Sequence, residues 1–275
     1  MTLVWATLIV VGVAVAAIAS MLFVRRSAPE GSYFEDGDRA AGVFGVLATA
    51  FAVLIGFVVF LAFESFDTSR SGAEDEARIV RQEFETAQFL PREVRSQVAG
   101  QVVCYARAVV HQEWPALESG TLGNALNPWG AAMFRTIHTV EPRLASEQTA
   151  YDKWFDERSD REDARADRVH GSEGVIPFEV WIVLFLSAVI IFVFMLFFAD
   201  SAERAIVQAT MIGGVALVIS SSLLLLWFLD HPYHRGVGGL RPTEMERTLA
   251  IMGQEEARFG TRVTPPCDAR GVALG

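Results

Sequence analysis

The side chains that could bind a metal ion or act as a nucleophile are few and scattered in this 275-residue sequence. His231 and His234 lie three residues apart, but Pro232 prevents a regular helical turn between them, and no carboxylate or cysteine stands at a ligand spacing. Cys104 and Cys267 are far apart and form no C-x-x-C pair. They therefore signal neither a zinc site nor a disulfide framework, and they leave the redox compartment open.

The sequence contains no arrangement typical of an active site. No nucleophile stands beside a base, and no glycine-rich loop could cradle a phosphate. The tripeptide Glu113-Trp114-Pro115 is typical of a helix end anchored by an aromatic side chain. We therefore expect no catalytic residue, no metal site, no cofactor and no enzymatic activity.

Apolar and charged residues are segregated along the chain, which explains how 52% hydrophobic residues coexist with a net charge of −10. The acidic balance leaves no basic stripe that could neutralise phosphates, so nucleic acid is not an expected partner. An apolar run of about 20 residues matches the roughly 30 Å hydrocarbon core of a bilayer. Four runs reach that length, at residues 3–24, 42–63, 175–199 and 205–229.

The four runs divide the chain into segments. Residues 1–64 hold the first two spans, 65–174 form a helical water-facing domain, 175–229 hold the last two spans, and 230–275 form a partly disordered tail. An even number of spans places both termini and the helical domain on one side of the membrane. Arginines behind the first span, with no positive charge ahead of it, favour an outward N-terminus, whereas the other span flanks lean slightly the opposite way.

The second run carries the side chains that could line an ion pathway. Because no span has an ionisable residue near its middle, proton- and sodium-coupled carriers are disfavoured. A hydrophobic constriction needs no such charge, since an apolar ring blocks ions by dewetting, and Phe57 suits such a ring. Glu64 could form an acidic ring that favours cations. Alternatively, Phe57 faces lipid or other helices, and Glu64 caps the following helix.

Four segments around the spans read LIGFVVFLAFESFDTSRSGAEDEARIV, QVAGQVVCYARAVVHQEWPAL, ADRVHGSEGVIPFEVW and LWFLDHPYHRGVGG. They resemble the bestrophin-like family of bacterial membrane proteins. That family has a Gly-Phe-containing span followed by a Glu-Ala helix, a Tyr-containing helix ending in Glu-Trp-Pro, an Arg-x-x-Arg helix before the third span and an Asp-x-Pro-type sequence after the fourth. The likeness covers roughly residues 42–245.

Residues 54–59, LIGFVV, further resemble the pore neck of the true bestrophins, which are pentameric anion channels. The resemblance implies that Thr49, Val53 and Phe57, spaced by four, face a pore axis. Two departures stand beside it. Phe63-Glu64-Ser65 occupies the place of the basic-aromatic ending of the bestrophin neck, and no acidic cluster matches the bestrophin calcium clasp.

We therefore expect an all-α integral membrane protein with four transmembrane helices and a helical soluble domain between helices 2 and 3. The resemblance implies a homo-oligomer, a pentamer if the likeness to bestrophins holds, in the bacterial inner membrane. Its partners are the lipid bilayer and inorganic ions. The expected function is an ion channel whose second helix lines the pore through Thr49, Val53, Phe57 and Glu64. The alternative is a membrane-anchored scaffold or sensor whose helical domain binds a partner protein.

Overall fold

The computed structural model describes residues 3–121, 127–259 and 263–274. Apart from one antiparallel bridge between Cys267 and Ala273, the regular structure in these residues is helical, which confirms the all-α class. A π-helical turn, Val109–Glu113, connects the third and fourth α-helices. The α-helices are α1 (Leu3–Arg25), α2 (Gly37–Ala87), α3 (Arg92–Ala108), α4 (Trp114–Glu118), α5 (Pro128–His138), α6 (Ala145–His170), α7 (Phe178–Leu196), α8 (Ala205–Asp230) and α9 (Thr243–Phe259).

Four of these helices, α1, α2, α7 and α8, are long and apolar enough to cross a bilayer, so the four predicted spans are confirmed. The chain forms two compact units. The membrane unit comprises Met1–Ser65 and Gly174–Gly238, and the helical unit comprises Phe66–Glu173 and Gly239–Gly275. The last 37 residues thus belong to the helical unit, whereas the sequence suggested a separate tail.

The second predicted span and the acidic segment that follows it form a single helix of 51 residues, α2. No proline interrupts it, and ion pairs between successive turns support its polar half. Arg70 pairs with Glu74 at 3.0 Å, and Arg81 pairs with Glu85 at 2.8 Å. Helical propensity and these pairs therefore carry the helix past the end of the apolar run.

Small residues let α1 and α8 approach closely within the membrane unit. A Cβ atom added at Gly213 would lie 2.9 Å from Ile18 Cδ1, and Ala17 and Ala216 are buried nearby on the two helices. Gly214 faces open space. Gly213 therefore allows the close packing of α1 and α8.

The apolar half of α2 uses one side for packing. This side joins a hydrophobic cluster with α7 and α8, so residues at successive turns of α2 are buried while those on the opposite side are not. The buried members of the cluster are Phe51, Ile55, Val58, Ala62, Leu184, Ile191 and Leu226.

The two short connections of the membrane unit bond to each other. Gly31 N donates to Asp200 Oδ1 at 3.1 Å, and Tyr33 N donates to the carbonyl of Phe197 at 3.1 Å. Arg25 Nη2 donates to the carbonyl of Ser201 at 3.0 Å. These bonds join the α1–α2 connection to the α7–α8 connection.

Residues 263–274 are folded, so the expectation of disorder is wrong for these residues. Residues 263–274 form a compact turn in which Asp268 N donates to the carbonyl of Val272 at 2.8 Å and Leu274 N to that of Pro266 at 3.1 Å. A disulfide joins Cys104 to Cys267, which also corrects the inference that the cysteines signal no disulfide. The glycine and prolines that suggest disorder here instead shape a turn.

Candidate functional site

The four predicted pore residues lie on the exposed side of α2, opposite its packed side. Val53 is 68% exposed and Phe57 is 63% exposed, and Thr49 and Glu64 are exposed as well. Their spacing of four and seven residues keeps them on one helix face. The structure thus brings Thr49, Val53, Phe57 and Glu64 together along one strip, and the sequence analysis omitted Phe60, which is 61% exposed on the same side.

This strip has the chemistry of a water-excluding surface that ends in a charge. Val53, Phe57 and Phe60 are bulky and apolar, and Glu64 carries the carboxylate at the end of the apolar run. If copies of α2 faced one another, the apolar rings would oppose ion passage by dewetting, and the carboxylates would attract cations. The arrangement can therefore form a constriction and a charged mouth.

A second group of polar contacts ties the ends of the third and fourth spans together. Asp230 is buried at the end of α8, and its Oδ1 accepts hydrogen bonds from Val175 N at 2.7 Å and Ile176 N at 3.0 Å. A Cβ atom added at Gly174 would lie 3.2 Å from Oδ2 of the same carboxylate. The aspartate of the LDHP segment therefore fixes the start of the third span against the end of the fourth.

The two histidines after α8 bond to backbone carbonyls. His231 Nδ1 lies 3.0 Å from the carbonyl of Trp227, and its ring stacks on that of Trp227 at 4.7 Å. His234 Nδ1 lies 2.7 Å from the carbonyl of His231, and its Nε2 lies 3.3 Å from that of Val237. Their observed role in the structure is to shape the turn that follows the fourth span.

The helical unit encloses a cluster of buried charges that the sequence analysis missed. Arg168, which is fully buried, forms ion pairs with Glu76 and, at 2.6 Å, with Glu113. Arg161, which is 2% exposed, pairs with Glu83 at 2.9 Å. Charges of both signs lie close together in residues 156–168, a pattern typical of a solvated helix face, but these two arginines are buried.

The spacing of the pairs shows how α2 and α6 pack. Along α2 the paired acids are Glu76 and Glu83, seven residues apart, and along α6 their partners run in the opposite order, Arg168 and then Arg161. The two segments are therefore antiparallel, with one ion pair every two turns. A repeat of acids seven apart facing a repeat of arginines seven apart was the available signal in the sequence.

Neutral side chains complete the cluster. Tyr105 OH donates to Glu76 Oε1 at 2.5 Å, and the guanidinium of Arg161 lies 4.5 Å from the centre of the Tyr105 ring. Asn127 Nδ2 donates to Glu113 Oε1 at 2.8 Å. The π-helical turn ends at Glu113, the residue that enters the cluster.

Burial and charge pairing act on the pKa values of these groups in opposite directions. Burial raises the pKa of Glu83 above its usual value, although the charge of Arg161 opposes the shift. Burial would also raise the pKa of Glu113, but Arg168 and Arg165 outweigh it and hold that pKa below its usual value. Burial, reinforced by Glu76, raises the pKa of Tyr105 well above its usual value.

The fold is similar to those of solved bacterial membrane proteins over most of the chain. The structure is similar to that of a variant of a bacterial bestrophin homologue from Klebsiella pneumoniae, with 16% identity, a TM-score of 0.65 and coverage of 91% of this chain and 98% of that chain. Another structure of the K. pneumoniae homologue gives 14% identity, a TM-score of 0.65 and coverage of 92% and 99%. A structure described only as a membrane protein has 15% identity and a TM-score of 0.65, with coverage of 92% of this chain and 99% of that chain.

The sequence itself carries the family assignment. No curated protein sequence matches the chain significantly. A family model, described as the bestrophin-like domain, matches residues 2–243, which include all four spans and most of the helical unit. This multi-pass membrane protein belongs to the bestrophin-like family.

Proposed function

We propose that the protein forms a homo-oligomeric ring, of five copies by analogy with the bestrophins, that conducts ions across the bacterial inner membrane. The observation that carries the proposal is the exposed strip of α2. One side of this helix packs in the membrane unit, and the other presents Thr49, Val53 and Phe57 outward. In a ring these side chains face the axis.

The proposed gate is apolar. Val53 and Phe57 lie one turn apart, so each forms a ring of identical side chains around the axis in a symmetric oligomer. A narrow apolar ring excludes water and thereby blocks ions without any charge. Glu64, at the end of the apolar run, forms an acidic ring that favours cations, although the bestrophins to which the neck is similar conduct anions.

Ion flux from liposomes tests the gate. Replacing Phe57 by Ala widens the constriction, so we expect Phe57→Ala to raise the flux through the reconstituted protein several-fold. Phe178→Ala is the matched control, because Phe178 is 74% exposed at the start of α7 and lies outside the strip. Absence of any flux from the wild-type protein, together with no effect of Phe57→Ala, would refute the proposal.

The reversal potential under a potassium chloride gradient tests the acidic ring. We expect a wild-type potential near that of potassium and a shift towards zero in Glu64→Gln. Glu179→Gln is the control, because Glu179 is also exposed at the end of a predicted span. Equal shifts in both variants would contradict the role of Glu64.

The oligomeric state in lipid separates this proposal from the alternative. A closed ring supports a pore along α2. A monomer that conducts no ions would instead support a membrane-anchored scaffold or sensor.

A further inference from the structure

The disulfide between Cys104 and Cys267 lies within the helical unit and is shielded from solvent. Cys104 belongs to α3 and is fully buried, and Cys267, in the terminal turn, is 4% exposed. These are the two cysteines of the chain. Together they form one covalent link between α3 and residues 263–274, which we call the terminal turn.

The terminal turn also docks on the helical unit through hydrogen bonds. Trp129 Nε1 donates to the carbonyl of Gly271 at 2.7 Å, and Gln112 Nε2 donates to that of Arg270 at 2.9 Å. Arg107 Nη1 donates to the carbonyl of Asp268 at 3.2 Å. These contacts hold the turn in place independently of the sulfur atoms.

Two glycines make the docking close. A Cβ atom at Gly271 would lie 2.5 Å from the backbone nitrogen of Ala108, and one at Gly100 would lie 3.1 Å from the carbonyl oxygen of Thr264. Gly271 also has a φ of +77°, which L side chains rarely adopt. This close fit places Cys267 beside Cys104.

We infer that the helical unit faces the oxidising side of the membrane, the periplasm or cell exterior, and that the disulfide staples its terminal turn there. Closing the bond removes two electrons and two protons from the thiols. A thiol–disulfide oxidant accepts them by exchange through a mixed disulfide. Such oxidants act outside the cytoplasm. Inside the cytoplasm, glutathione and thioredoxin keep thiols reduced. The inference does not depend on ion conduction.

The arginines that flank the spans are nearly balanced between the two sides of the membrane, so the disulfide determines which orientation we infer. The two short connections and the helix ends beside them, which would then face the cytoplasm, carry Arg25, Arg26, Arg39 and Arg204. Arg235 and Arg241 follow the fourth span on the opposite side. The charges within the helical unit count little for the orientation, because long domains cross a membrane largely regardless of their charge. The arginines of the short connections agree with the orientation that the disulfide indicates.

Thiol trapping in the wild-type protein tests the bond without any substitution. Cells are quenched in acid, and the denatured protein is treated with a polyethylene-glycol maleimide before and after reduction. We expect no mobility shift before reduction and a shift of two adducts after it. Free thiols in protein trapped from growing cells would overturn the inference.

Labelling of introduced cysteines with a membrane-impermeant maleimide tests the side. Ser146→Cys lies at an exposed position in α6, and Ala202→Cys lies at an exposed position between α7 and α8. In intact cells we expect Ser146→Cys to be labelled and Ala202→Cys to be labelled only after permeabilisation, with the wild-type protein as the unlabelled control. The reverse pattern would overturn the inference whatever the state of the native cysteines.

Discussion

The pairing of Arg161 with Glu83 allows a quantitative test of the buried charge cluster. Glu83 is fully buried and Arg161 is 2% exposed, so Arg161→Leu leaves a carboxylate without its counter-charge in a dry interior. Breaking a buried pair in this way costs about 3–5 kcal/mol. At 1.36 kcal/mol per factor of ten, this corresponds to a roughly 150- to 5,000-fold loss of protection from hydrogen exchange.

Hydrogen exchange followed by mass spectrometry on the whole protein in lipid measures this loss in peptides of α6. The double variant Glu83→Leu/Arg161→Leu removes both charges, so its protection should return to within about 1 kcal/mol of the wild type. The matched control is the exposed pair Arg70 and Glu74, whose side chains are 59% and 52% exposed. There Arg70→Leu should cost at most about 1 kcal/mol, or about fivefold.

The sign of the pH dependence provides a second check on the same variant. Removing Arg161 raises the pKa of Glu83 further, because burial is then unopposed. A carboxyl with a raised folded pKa contributes stability below its unfolded pKa near 4.5 and loses it as the pH rises through the folded pKa. The loss of hydrogen-exchange protection in Arg161→Leu should therefore become smaller as the pH is lowered. A single variant with wild-type protection, or a double variant as unstable as the single one, would refute the reasoning.

Two further predictions concern neighbouring positions. In Gly72→Ala the new methyl group would lie 2.8 Å from the carbonyl of Ala164. We therefore expect thermal unfolding to show a loss of about 1–3 kcal/mol in the free energy of unfolding. Gly253→Ala is the control and should not destabilise the protein, because its methyl group would meet no neighbour within 4 Å. Glu113 has a lowered pKa, so its contribution is present above about pH 4.5 and is lost as the pH falls through its folded pKa. The difference in melting temperature between wild type and Glu113→Gln should therefore shrink below pH 4.5 and stay constant above it; a constant difference at all pH values would contradict the pKa assignment.

The spans were predictable from sequence because their signal is local. An apolar run of about 20 residues has few alternatives to crossing a bilayer, and the four runs overlap α1, α2, α7 and α8. The start of α5 is also set locally, because an Asn-Pro pair favours a helix start and the side chain of Asn127 accepts a hydrogen bond from Trp129 N. The choice of Thr49, Val53 and Phe57 on α2 came from the resemblance of residues 54–59 to the bestrophin neck, and their role in a pore is a proposal.

The features that escaped prediction depend on partners distant in sequence. Arg168 and Glu76 are 92 residues apart, so the charge pattern of α6 did not show that this arginine points inward. Cys104 and Cys267 are 163 residues apart, and nothing near either cysteine indicates the other. Composition suggested disorder for residues 263–274 because it does not reveal their contacts with α3, such as the bond of Cys267 to Cys104 and the hydrogen bond from Arg107 to the carbonyl of Asp268.

The disulfide also sets an order of events during biosynthesis. Cys267 follows the fourth span, so the covalent ring between Cys104 and Cys267 encloses α7 and α8 and can close only after both have been synthesised. A chain that stalls before the terminal turn cannot be sealed. Once sealed, a protease cut in the α7–α8 connection leaves both fragments joined until a reductant separates them. The bond thus distinguishes chains that contain Cys267 from shorter ones.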